Sequence, residues 1–197
     1  MASVSGMPQT AVKRAGPWLA IAAVLGVTTV LLRAEGRLWW CKCGQPFLWV
    51  DDAWTSHNSQ HLLDPYSFTH VLHGLVFYGV LAWWLPRWSL PWRMWLAIAV
   101  EAAWELIENT EFVIQRYREA TAALGYAGDT IANVLGDILT CSLGFVLARY
   151  LGFRWSAALF VLTEVVLLIW IRDSLLLNVV MLLYPLDAIK VWQQAGH

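Results

Sequence analysis

WRMWLAIAVEAAWELIENTEF, residues 92 to 112, begins as a run of lipid-compatible side chains and ends in four glutamates. The first half, through Val100, reads as the start of a membrane span. At 100° per residue, Glu101, Glu105 and Glu108 stand at i, i+4 and i+7 and share one narrow stripe. Glu111 falls about 80° off that stripe, near the boundary and within reach of Arg116 or Arg118. Carboxylates are costly in hydrocarbon, so a stripe of three calls for compensation: protons, neighbouring polar groups or a bound cation.

The composition around this stretch fits a membrane setting. Of 197 residues, 59% are hydrophobic and only 14% charged, and the mean hydropathy is +0.54, far from the averages of water-soluble domains. Trp83, Trp84, Trp88, Trp92 and Trp95 crowd one helix-helix turn, and Trp39, Trp40, Trp49 and Trp54 follow the first apolar run, as expected of rings at headgroup level. The net charge of −1 gives no reason to propose nucleic acid as a partner. Cys41 and Cys43 are too close in sequence for a disulfide of ordinary geometry, and Cys141 sits inside an apolar run. The CKC pair offers two soft ligands, but no second Cys/His pair at zinc-finger spacing is read beside it.

The chain divides into a polar tail, 1–16, and a single multi-pass domain, 17–197. Spans are expected at about 17–32, 67–86, 92–115, 129–150 and 153–171, each near the ~20 residues that cross hydrocarbon. A final stretch, 174–192, is broken by Pro185 and is either a sixth span or an interfacial helix. The first run ends in Arg33 without a small-residue cleavage site, which argues for an uncleaved helix rather than a signal peptide. Residues 33–66 form a polar loop. Lys and Arg divide evenly between the two sides, and a cytoplasmic N-terminus is the modest preference. The fold class is an all-α membrane bundle of five or six helices.

Whatever the orientation, the start of span two, the end of span three and the start of span four share one side. His70 and His73 lie one turn apart there, opposite the glutamate stripe, and Asp129, Asn133, Asp137 and Cys141 form an i+4 series. Asp64 and Ser67 precede the histidines, and Asn109 follows the glutamates. Beside the aspartate series runs Ala132, Gly136, Thr140, Gly144 and Ala148, a small-residue seam that lets backbones approach closely and could serve as a homo-oligomer contact. GYAGD, residues 125–129, suits a turn, with Asp129 as a helix N-cap. Glu164, alone in its span, could join the same cavity or pair with Arg172, and a structural role is the stronger reading. A hydrogen-bonded polar core that merely specifies packing competes with a functional reading throughout, most strongly for His70, His73, Asp129 and Glu111.

The functional expectation is a one-sided polar cavity acting on a lipid-linked or small envelope substrate. Glu105, Glu108 and Asp137 are its candidate acid/base residues, with Asp129 and Asn133 orienting them. His70, His73, Glu105, Glu108 and Asp137 would be ligands if a divalent metal binds. A proton- or cation-conducting path is the alternative, although the far halves of spans two and four lack acids. A non-enzymatic assembly subunit is the third. Di-iron E-x-x-H pairs, H-E-x-x-H, P-loop and G-x-S-x-G signatures are absent from the sequence.

Three blocks, SQHLLDPYSFTHVLHGLVFYG (59–79), WELIENTEFVIQRYREAT (104–121) and GYAGDTIANVLGD (125–137), resemble proteobacterial multi-pass membrane proteins of the UPF0314 type (DUF2585), a domain of unknown function. The resemblance implies an inner-membrane, multi-helix protein and no particular reaction. A shorter pattern carried by His70, Glu105, Asp129, Asn133 and Gly136 is similar to the VanZ-like membrane proteins, which implies a cell-envelope setting. Asp64, six residues before His70, departs from that pattern.

Overall fold

Residues 92–115 do not form one helix. In the computed structural model, which describes residues 9–121 and 125–195, the helix begins behind Ser89 with Pro91 in its first turn and ends at Glu108. Asn109 stops it: its Nδ2 turns back to the Glu105 carbonyl (3.0 Å) while also donating to Asp129 (2.9 Å). Such local side-chain bonds compete with helix propagation. Thr110 then caps the next helix by accepting from Val113 N–H, which places Glu111 at a favourable N-terminal position.

The described residues form seven helices and no strand. They are α1 (Gln9–Ala34), α2 (Ser67–Trp84), α3 (Leu90–Glu108), α4 (Glu111–Ala120), α5 (Ile131–Trp170), α6 (Leu175–Leu183) and α7 (Asp187–Gln194). The polar tail is therefore already helical from Gln9, and its first eight residues lie outside the described residues. The division expected between 150 and 153 falls at Gly152, whose φ of +70° breaks α5 in a region that glycine enters without steric penalty. The 174–192 stretch is two short helices of 9 and 8 residues, each too short to cross a bilayer at 1.5 Å per residue. Two helices are long and apolar enough to cross a membrane, Ala15–Ala34 and Ile131–Trp170; length and composition alone do not carry five or six spans.

Helix α5 is central. Leu32 of α1, Ile98 and Ala102 of α3, and Ile131, Val134 and Ile138 of α5 make one apolar cluster. Leu72 and Leu75 of α2 pack with Ala148 on its other side, where Leu159 and Phe160 from beyond the Gly152 break fold back onto them. The small-residue seam is filled within the chain. A Cβ on Gly144 would stand 2.0 Å from the Val71 carbonyl, one on Gly74 would stand 2.0 Å from the Cys141 carbonyl, and one on Gly136 would stand 1.9 Å from that of Leu62. Glu164 caps α6, accepting from Leu175 N–H (2.9 Å) and Leu176 N–H (3.2 Å), and Arg172 turns instead to the Trp192 carbonyl.

Because backbone stands opposite Gly144, a methyl group there must push α2 and α5 apart. Gly144→Ala should lower stability by about 1–3 kcal/mol, whereas Gly79→Ala, with open space around it, should not. Thermal unfolding of the two variants in detergent checks this; equal midpoints would contradict the packing.

Candidate functional site

The three polar stripes meet. Glu101 is fully buried, and its Oε1 lies 2.6 Å from His70 Nδ1 and 3.0 Å from His73 Nδ1. A carboxylate can only accept, so both imidazoles carry their proton on Nδ1 and donate to it. Each Nε2 is turned away from Glu101 and is left for other partners. His70 Nε2 lies 3.8 Å from Asp137 Oδ2. Glu105 Oε1 is 3.3 Å from His70 Nδ1, whose proton is already engaged by Glu101, and that buried oxygen has no hydrogen-bond partner of its own.

Surrounding bonds hold this centre. Asp137 Oδ1 accepts from Ser67 Oγ (3.0 Å), and that hydroxyl in turn accepts from Asp64 N–H (3.2 Å). Asp64 accepts from Ser59 N–H, Tyr66 N–H and Asn133 Nδ2. Burial pushes the Asp64 carboxyl above the usual range in spite of those bonds and the nearby His70. The N-cap of α5 is Thr130, not Asp129: its hydroxyl accepts from Asn133 N–H (3.2 Å). Asp129 is drawn away by a stronger set of partners, accepting from Asn109 Nδ2 and the Tyr126 hydroxyl while its N–H donates to Asn109 Oδ1 (2.7 Å).

The residues expected at the site therefore fall into overlapping groups. His70, Glu105 and Asp137 bring ligand-capable atoms within 4.8 Å of one another, as do His70, His73 and Glu101, and also Glu105, Glu108 and Asp129. Glu108 is half-buried and bonded to the Tyr117 hydroxyl. Asn133 reaches Asp64 rather than the histidines. Glu111 is exposed, with Arg118 at 3.9 Å; Arg116 instead donates to the Leu182 carbonyl. Sequence reasoning left Glu101, Ser67 and Tyr126 out of the site. For Glu101 the signal was present, since it stands on the same stripe as Glu105.

A cavity of about 1410 Å³ opens beside these groups, with His70, His73, Glu101, Glu108, Asp129 and Asp137 in its wall. Its roof comes from the 35–66 loop, which is bonded to the start of α5: the Leu38, Trp39 and Ser59 carbonyls accept from Ile131, Ala132 and Thr130 N–H. These are the donors that a helix N-terminus leaves unpaired. The arrangement offers an oriented imidazole, several carboxyl groups and room for a substrate.

A family model described as a protein of unknown function (DUF2585) matches residues 32–195. The chain is 42% identical over 179 residues to a UPF0314 protein of Sphingopyxis alaskensis, covering 91% of this chain and 95% of that one. It is 44% identical over 184 residues to one of Paracoccus denitrificans, with 93% and 95% covered. With one of Rhizobium meliloti it shares 43% identity over 196 residues and 98% of each chain. No solved structure matches it.

Asp173, at the cavity wall, accepts from Ser174 N–H, the Tyr66 hydroxyl and Asn178 Nδ2. Burial raises its carboxyl to about 6. A raised folded-state value means that the stability it contributes is present at low pH and lost as pH climbs from about 4 through about 6. Asp173→Asn removes that loss. The variant should gain on the order of 2–3 kcal/mol over the parent protein between pH 4 and 7. Unfolding midpoints at the two pH values check it, and an unchanged difference would contradict it.

Proposed function

Since this chain belongs to the DUF2585 family of proteins of unknown function, whose members' names carry no reaction, we propose its function from the site: it is a multi-pass inner-membrane protein whose one-sided pocket performs acid–base chemistry on a lipid-linked or small envelope substrate. The observation that carries this reading is the pair of imidazoles held by one buried carboxylate. Glu101 orients the ring and raises the basicity of His70, whose Nε2 exchanges a proton with substrate or water. Asp137 and Glu105, on the other sides of that ring, stabilise the imidazolium formed in between, and Glu108 and Asp129 extend the acidic wall.

Support for the membrane comes from what the fold leaves outside. Trp83, Phe153, Ile169 and Leu183 are all more than 75% exposed, and only 17% of the apolar Ala15–Ala34 window is buried. So much apolar surface calls for lipid. In this reading α1, α2, α3 and the two halves of α5 are five spans, the N-terminus is cytoplasmic, and α6 and α7 lie along the interface. A through-going proton path is less well supported, because the far end of α2, VFYGVLAWW, carries no titrating acid or imidazole.

A divalent cation held by His70, Glu105 and Asp137 is a second reading, favoured by the unpartnered Glu105 Oε1. Elemental analysis of purified protein separates the two: a metal equivalent lost in Glu105→Gln assigns the pocket to the cation.

The reaction itself is tested by lipid analysis of a deletion strain. The strain should accumulate a lipid-linked species that the parent protein clears and His70→Gln or Glu101→Gln does not, with turnover down about 10²–10⁴-fold. Lipid extracts identical in all strains, with the variants inserted at parental levels, would refute it.

A further inference from the structure

The loop between Ala34 and Ser67 contains no helix, and its only strand-like pairing among the described residues is an isolated bridge between Trp49 and Leu63. Irregular segments of this length inside a folded domain need something to hold them. The loop has no apolar cluster of its own, yet four side chains in it converge: Cys41, Cys43, His57 and His61. The CKC pair that the sequence leaves without a partner is met by H-x-x-x-H from the other end of the loop.

The distances between them are those of ligands around one ion. Cys41 Sγ is 3.6 Å from His57 Nδ1, Cys43 Sγ is 3.7 Å from His61 Nε2, and the two imidazole nitrogens are 3.2 Å apart. Zinc bonds of about 2.3 Å to sulfur and about 2.0–2.1 Å to nitrogen at tetrahedral angles give edges of about 3.6 Å for S···N and about 3.3 Å for N···N. Without an ion, the same four groups are left with weak thiol–imidazole and imidazole–imidazole hydrogen bonds.

Backbone N–H donors are aimed at both sulfurs. Cys43 N–H points at Cys41 Sγ (3.3 Å), and Gln45 N–H at Cys43 Sγ (3.4 Å). The turn that aims these donors passes through Gly44 at a φ of +73°, and the Trp40 indole closes it on the Gln45 carbonyl (2.9 Å). Trp40 and Phe47 pack against the His61 ring, fixing its plane. Two thiolates with two neutral imidazoles exactly offset a dication, unlike the oxygen-rich pocket below. Sulfur and nitrogen donors select borderline or soft metals over magnesium or calcium.

We propose that Cys41, Cys43, His57 and His61 form a structural zinc site that pins the 35–66 loop over the pocket. All four positions around the ion come from the protein, which is the closed coordination of a structural rather than a catalytic site. Cys41, Cys43 and His57 also line the cavity, as do Ser59 and Gln60, and the latter two bond the start of α5 through Thr130 N–H and the Gly128 carbonyl. The ion thus fixes the roof without joining the chemistry at His70, and the site stands whether or not the acid–base reading of the pocket holds.

The test uses the full chain in detergent, purified under reducing conditions. Elemental analysis should find about one zinc per chain, kept in Glu105→Gln and lost in Cys41→Ser/Cys43→Ser. Cobalt exchanged into the parent protein should give the intense visible bands of tetrahedral coordination and a near-ultraviolet thiolate charge-transfer band. Alkylation of Cys41 and Cys43 should slow at least roughly tenfold with zinc bound and recover with a chelator; both readouts remain if the double variant fails to fold. Protein that takes up no zinc and whose thiols react equally fast with and without it overturns the proposal. So does zinc lost in Glu105→Gln but kept in Cys41→Ser/Cys43→Ser, or stoichiometric copper in zinc's place.

Discussion

The Glu101 carboxylate accepts from two imidazoles while fully buried between α2 and α3, and the rest of the interior is arranged around that fact. An ionised carboxylate removed from water and left alone costs several kcal/mol. Two N–H donors on one carboxylate offset much of that cost, but only if α2 and α3 sit at one fixed rotation and height. The pairing therefore specifies the fold as well as the site. A shift of one residue along α2 would turn both histidines off the glutamate stripe and leave the charge unpaired.

That constraint explains the glycines. His70 reaches Glu101 on α3 and faces Asp137 on α5 simultaneously, so α2 has to lie close to both helices. Gly74 and Gly144 let the α2 and α5 backbones meet at separations no side chain would allow, and Gly136 does the same for the loop at Leu62. In lipid, where apolar burial between helices contributes little, close backbone approach is a principal source of cohesion. Packing and electrostatics thus support each other along α5: the small residues bring α2 in, and the neighbouring polar stripe receives what α2 carries.

How far this was legible in the sequence follows from the range of each interaction. The all-helical class, the break near Gly152 and the meeting of three polar stripes all rest on local period and composition. The end of α3 was hard to read, because the local turn of Asn109 to the Glu105 carbonyl is joined by a bond to Asp129, twenty residues on. The choice of cap for α5 was equally hidden. Asp129 and Thr130 are adjacent and nearly equal in capping preference, and the Tyr126 and Asn109 bonds to Asp129 decide between them. Glu101 lay on the stripe already drawn, and its importance depended on the depth at which the two histidines enter. In the loop, His57 and His61 follow the CKC pair at a spacing close to that of zinc sites, a signal that was legible in the sequence and passed over there.

On the proposed reading, the same organisation separates two tasks that a small membrane protein must perform together. A pocket that handles protons needs groups whose charge changes, and groups of that kind make poor fixed supports. In the proposed chemistry the proton-handling centre is His70 with its carboxylates. Its boundaries are held by bonds whose character does not change with its proton: the Asn109–Asp129 clasp, the loop carbonyls on the α5 N-terminus, and backbone contact at three glycines. Ser67 links the two sets, accepting from Asp64 N–H and donating to Asp137. Through it, a proton arriving at Asp137 would weaken the bond that orients Ser67 and be felt at the entrance of α2. On that reading the pocket's chemistry and the position of its roof would be coupled at that hydroxyl.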